Sequence, residues 1–260
     1  MTRLLLVVNM LLACLLVLDR VSRPGVAVAA ELRPSSATAD TAARPRTPSR
    51  GAESPVSTAS SSGTPAIDLL ARLEGRRLLV RAAATTYFDS LFAETDSVLR
   101  RWPDAAMPLQ VAVLPDSGRV DPELVALTRQ ALAVWERAGA GIRFQLVSDT
   151  ASAKLLIQAT PRLRGASVGE TQLQWNQSGV LHTARITLAR ADSSGRILPS
   201  AAALAVAVHE VGHSLGLAHS SQDTDVMFPY AKTGRLSQRD QSTIALLYQL
   251  PLGSIRESDR

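Results

Sequence analysis

Three of the four histidines in this 260-residue chain, His209, His213 and His219, fall in one short stretch, and an acid stands beside the first of them. The stretch reads His209-Glu210-Val211-Gly212-His213-Ser214-Leu215-Gly216-Leu217-Ala218-His219-Ser220. Four residues of α-helix turn through about 400°, so His209 and His213 sit one turn apart on one side and can share a metal ion. Glu210, rotated by about 100° from His209, points elsewhere but can reach a water held by that ion. Gly216 can take the left-handed conformation that ends a helix and reverses the chain. His219, three residues on, then returns toward the same ion. Three neutral imidazoles with an open fourth corner are the ligand set of a catalytic zinc site, whereas a structural site closes that corner. The chemistry this predicts is hydrolysis. Zinc acidifies a water and polarises a carbonyl, while Glu210 takes the proton as general base and returns it as acid. A chain that kept the metal only as a binding scaffold would need the histidines but not Glu210.

A long apolar helix from Ser200 to about Leu217 must carry the first two histidines at its C-terminal end. Ahead of it the pattern is βα. Leu109, Val111 and Val113 alternate with Gln110 and Ala112 as a strand. Asp121-Pro122-Glu123 supplies an N-cap, a proline at the first helical position and an acidic first turn. The helix it opens places Leu124, Leu127, Ala131, Val134 and Trp135 on one face and stops near Gly139. Ile142, Phe144 and Leu146 alternate as a second strand, and Leu155 to Ala159 reads as a third. Gly165 to Trp175 and Val180 to Leu188 are read as an edge strand and a fourth inner strand around an Asn176–Gly179 turn. Ser237 with Asp240 three residues on predicts a capped final helix through Leu247.

Hydrophobic residues make up 46% and charged residues 20%, which excludes wholesale disorder, a collagen-like chain and a multi-span membrane protein. The net charge is +5, and all the basic residues but Lys154 and Lys232 are arginine. Those arginines are scattered, with no more than two together, so they are read as a modestly basic surface and no nucleic-acid partner is expected. Cys14 is the only cysteine, which excludes an intrachain disulfide or a cysteine-based metal site.

The N-terminus predicts export. The apolar run Leu4–Leu18 reaches about 22 Å as a helix, short of the roughly 30 Å hydrocarbon core. Ala27-Val28-Ala29-Ala30 follows as an A-x-A cleavage signature. Residues 1–30 are therefore read as a signal peptide or an uncleaved signal-anchor, placing the protein in the secreted, periplasmic or cell-surface space. Leu11-Leu12-Ala13-Cys14 faintly resembles a lipobox, but the apolar run continues past the cysteine. Residues 31–66, rich in Ser, Thr, Ala and Pro, bury too little to offset their ordering entropy and are expected to be a disordered linker. Residues 67–104 carry Leu69, Leu70, Leu73, Leu91, Phe92, Val98 and Leu99 at helical spacing. This lead-in either covers the site or packs behind the domain, and the second is the default. Residues 105–252 form the domain and 253–260 a tail.

The histidine stretch matches H-E-x-x-H-x-x-G-x-x-H at every fixed position, and Ser220 follows the third histidine. Here the chain resembles the metzincin metalloproteases, most closely the matrixin branch. Asp225-Val226-Met227-Phe228-Pro229-Tyr230 resembles their Met-turn, with Met227 beneath the zinc, and Leu236 to Tyr248 their C-terminal helix. The resemblance covers roughly Pro108 to Leu252. It implies an α/β (α+β) fold with a five-stranded, mostly parallel sheet, two long helices and a small C-terminal subdomain. It further implies a zinc endopeptidase acting on proteins or peptides, with one catalytic Zn2+ and a monomeric chain. Pro229 and Tyr230 would then line the pocket for the side chain after the scissile bond. Asp240 would hydrogen-bond the Met-turn backbone.

The departures are specific. With no cysteine in the folded part, the cysteine-based latency of animal matrixins is not expected. A structural zinc would need further ligands where the chain offers only His182, read instead as a surface position on a strand. No Asp/Gly-rich calcium loop is recognisable in Gly165–Gly179. Arg239 stands where the family often has the first of two aspartates, which removes the usual anchor for a matured N-terminus.

Overall fold

Alternation at Leu109, Val111 and Val113 builds a strand that the sheet buries from both faces. The computed structural model describes residues 66–95 and 97–254. The expected signal segment, nearly all of the expected linker and the last six residues lie outside the described residues.

The described chain runs as helices α1 (Ala66–Ala82) and α2 (Phe88–Thr95), strand β1 (Val98–Leu99), strand β2 (Leu109–Val113) and helix α3 (Pro122–Glu136). Strands β3 (Phe144–Leu146), β4 (Leu155–Thr160), β5 (Gly169–Trp175) and β6 (Leu181–Ala189) follow. Helices α4 (Ser200–Ser214) and α5 (Gln238–Gln249) and strand β7 (Gly253–Ser254) complete it. Five strands form the main sheet in the order β3-β2-β4-β6-β5. Every pairing is parallel except β5 with β6, which is antiparallel and leaves β5 at the edge. This is the mostly parallel five-stranded sheet that the resemblance implies.

Helix α3 starts as its sequence dictates. The Asp121 carboxylate accepts from the Glu123 N–H at 2.9 Å, and Pro122 opens the first turn. Its inner face, Leu124, Ala131, Leu132 and Trp135, packs on α4 and the sheet. The Trp135 indole N–H donates to the Val208 carbonyl at 2.8 Å, which ties α3 to the turn of α4 just before His209. Helix α5 opens on a full capping box, with Ser237 and Asp240 each satisfying the other's backbone N–H.

Two elements differ from the pattern reading. Val98 and Leu99, spaced as a helix continuation, form a strand paired antiparallel with Gly253–Ser254. Ser97, at φ 62, turns the chain out of the helix before them. Ile142 is fully buried but lies before β3, because Gly141 at φ 74 delays the extended run.

Candidate metal centre

Helix α4 is apolar almost throughout, so its second half, from Ala205 on, is mostly buried and delivers His209 and Glu210 into the interior, both 6% exposed. The helix ends at Ser214, and Gly216 follows at φ 99. The Leu217 N–H reaches back to the Gly212 carbonyl at 3.2 Å, and the Gly216 N–H to His213 at 2.9 Å. This reversal returns His219 to the first two histidines. Their ligand atoms all lie within 4.8 Å of one another.

Each of the first two rings is oriented from behind. His209 Nδ1 lies 2.8 Å from the Val226 carbonyl, and His213 Nδ1 lies 2.9 Å from the Leu217 carbonyl. Carbonyls only accept, so both Nδ1 atoms carry the proton and both Nε2 atoms present lone pairs. Those lone pairs converge: His213 Nε2 lies 3.0 Å from His209 Nε2 and 3.3 Å from His219 Nε2. Two acceptors at 3.0 Å with no proton between them repel unless a cation joins them. A tetrahedral ion with Zn–N of about 2.0–2.1 Å holds its nitrogens about 3.3 Å apart. The donor set fits zinc.

Burial reinforces the neutral state. Desolvation pulls His209 down to about 4, against the Val226 carbonyl that favours its charged form, and pulls His213 well below the usual histidine range. An unfolded histidine takes up its proton near pH 6.5, whereas folded His209 does so only near 4. Between these values the unfolded state binds more protons, so stability rises with pH at about 1.4 kcal/mol per unit for a fully shifted group. Zinc-free protein is therefore expected to have its full stability above pH 6.5 and to lose it as the pH falls toward 4. Thermal unfolding midpoints across that range check this, and a flat profile would contradict it.

Glu210 points from α4 to the edge strand. The Thr171 hydroxyl donates to Glu210 Oε2 at 2.6 Å and also lies 3.1 Å from the Glu210 carbonyl. Two residues along the same strand face, a side chain on Gly169 would meet the Glu210 Cδ at 2.7 Å. Only glycine leaves the carboxylate its place. Gly169 and Thr171 go unnoticed in the sequence because their roles depend on an antiparallel register against β6 that no local pattern sets.

Met227 is fully buried and packs where Gly212, between the two helical histidines, lacks a side chain. Asp240 is fully buried too, and its Oδ2 accepts from the Val226 and Ser237 N–H groups, each at 2.8 Å. Burial raises its pKa, and those two N–H groups pull it back. The Asp240 carboxylate therefore fixes Val226, whose carbonyl orients His209. Asp225 accepts from Ser220 and, at 3.2 Å, from Arg239, the residue standing in the aspartate position. Pro229 and Tyr230 are exposed, and His182 is exposed on β6.

The family model for matrixin, peptidase M10, matches residues 111–249, more than half of the chain. The chain belongs to the matrixin family. No curated protein matches it closely enough to name a relative. Matrixins are zinc-dependent endopeptidases, so this matrixin is a metallopeptidase, a hydrolase with protein substrates. Matrixins normally bind a catalytic zinc, and the cluster of His209, His213 and His219 could hold a metal ion. Residues 66–110, including α1, α2 and β1, precede the matched region.

Proposed function

We propose that this matrixin cleaves peptide bonds with Glu210 as general base and His209, His213 and His219 as the zinc ligands. The reading is carried by the convergence of three Nε2 atoms, two of them locked as lone-pair donors by backbone carbonyls. Zinc bound there would supply Lewis acidity to a water and to the scissile carbonyl. The Glu210 carboxylate accepts the proton that the water gives up and delivers it to the leaving amine. Thr171 holds that carboxylate in one rotamer by donating to Oε2, so the base is in place before substrate arrives. Strand β5 is bonded on one side only within the main sheet, so its other edge offers backbone groups to an extended peptide beside Glu210. Met227 shapes the floor behind the ligands, and Pro229 and Tyr230 line the pocket for the residue after the scissile bond. The protein acts as an exported monomer, either freed by cleavage after Ala30 or held by residues 4–18.

The test is metal removal and return. The full chain is expected to cleave an unfolded protein, to stop after chelation and to recover with one equivalent of zinc. Bound zinc without any cleavage would favour a binding scaffold instead.

Gly169 offers a sharper check on the base. In Gly169→Ala the new methyl meets only the Glu210 side chain, from Cγ outward, and no backbone, so the fold should keep its unfolding midpoint and its zinc. A misplacement of about 1 Å at a reacting group costs about 100-fold. A loss of that order in kcat/KM is expected, and a variant within threefold of wild type would refute the positioning.

A further inference from the structure

The segment ahead of the family's matched region is built into the metal site. Tyr87 is fully buried, with its N–H donating to Thr243 Oγ1 and its hydroxyl to Asp240 Oδ1, each at 3.2 Å. That same Asp240 fixes Val226, and Val226 orients His209. The Trp102 indole N–H donates at 2.8 Å to the carbonyl of Ser214, the last residue of α4. The Arg100 carbonyl packs against Gly216 in the turn between the second and third histidines. Phe88 and Leu91 anchor α2 in the core shared with Val208, Val211 and Leu215 of the zinc helix and its end. The Tyr87 contact acts through Asp240, and the others reach backbone or side chains within a few residues of a histidine of the cluster.

Helix α2 also brings a charge. Glu94, one turn after the buried Leu91, places Oε1 at 3.3 Å from the His219 N–H and 3.7 Å from His219 Nδ1. The first two ligands have backbone carbonyls behind their rings; the third has a carboxylate. A carboxylate behind a ligating imidazole orients the ring and raises its basicity toward the metal. It also places a full negative charge next to a ligand set that is otherwise neutral, which favours a divalent cation. The N–H contact fixes the backbone of His219, so one side chain controls both where the ligand sits and which way it faces.

We propose that Glu94 is a positioning residue for His219, and that residues 87–102 are a wall of the metal site rather than a removable lead-in. The proposal rests on the reading that the three histidines hold zinc. It is tested on the full chain by competing zinc against a chelator of known affinity. Loss of such a partner weakens metal binding about 10- to 100-fold, and Glu94→Ala is expected to show a loss in that range. Glu94→Gln keeps an acceptor for the His219 N–H without the charge, so its affinity should fall between Ala and wild type. Cobalt(II) loaded in place of zinc reports ligand geometry in its visible spectrum. That spectrum should change in Glu94→Ala and return toward wild type in Glu94→Gln.

The Glu94 side chain is 39% exposed, so the metal-free unfolding midpoint should be unchanged in both variants. Unchanged zinc affinity and cobalt spectrum in Glu94→Ala would overturn the proposal while leaving the zinc reading intact. A fall in the metal-free midpoint that parallels the affinity loss would overturn it in favour of a plain folding contact. A wild-type chain that takes up no zinc would bring down both.

Discussion

Glu210→Gln is expected to keep its zinc and its fold and to lose turnover by a factor of about 10²–10⁴, the usual contribution of a general base. The replacement isolates proton transfer because it changes little else. Glutamine has the same length and shape, and its amide oxygen can still accept from the Thr171 hydroxyl that now lies 2.6 Å from Glu210 Oε2. An amide cannot take a proton from water near neutral pH. No histidine loses its orienting carbonyl, since Val226 and Leu217 act on His209 and His213 independently of Glu210. Metal content should thus remain at one zinc per chain while kcat falls and KM moves little. Activity within threefold of wild type would remove Glu210 from the role of base. Loss of zinc together with activity would instead show the carboxylate to be part of the metal's support.

The parts of this site that can be read from sequence are those built by local geometry. His209 and His213 are one helical turn apart, Gly216 ends that turn, and His219 follows within three residues. Spacing alone is enough to predict that these come together. The same holds for the Asp121 cap and the Ser237–Asp240 capping box, where donor and acceptor are at most three residues apart. What supports the site from a distance is not legible in that way. Glu94 meets His219 across 125 residues, and Tyr87 meets Asp240 across 153. Neither residue type nor spacing signals such a contact, because it arises only when the N-terminal helices are laid on the finished core. Val98 and Leu99 make the same point for secondary structure. Their spacing continues a helix, but the pairing with Gly253–Ser254 at the other end of the domain decides for a strand.

Gly216→Ala is expected to cost more than any other single methyl in the described part of the chain. Two penalties act at once. At φ 99 the backbone lies in a region that a side chain disfavours, which costs about 1–2 kcal/mol. The added Cβ would also drive into the Arg100 carbonyl, with the carbonyl carbon only 2.9 Å away. Backbone cannot rotate aside as a side-chain tip can, and Arg100 is held by its neighbours: the Arg101 N–H donates to Gly179 and the Trp102 indole to Ser214. Overpacking of this kind adds about 1–3 kcal/mol. Together they take about 2–5 kcal/mol from a stability that for most domains is about 5–15 kcal/mol. The damage falls on the turn that returns His219, so zinc affinity should fall with the unfolding midpoint. Gly139→Ala separates the two penalties. Gly139 has φ 79 but nothing within 4 Å of its would-be Cβ, so that variant should show the backbone cost alone and keep wild-type zinc affinity. If the two substitutions prove equally mild, the close approach of residue 100 to the Gly216 turn is not what holds His219 in place.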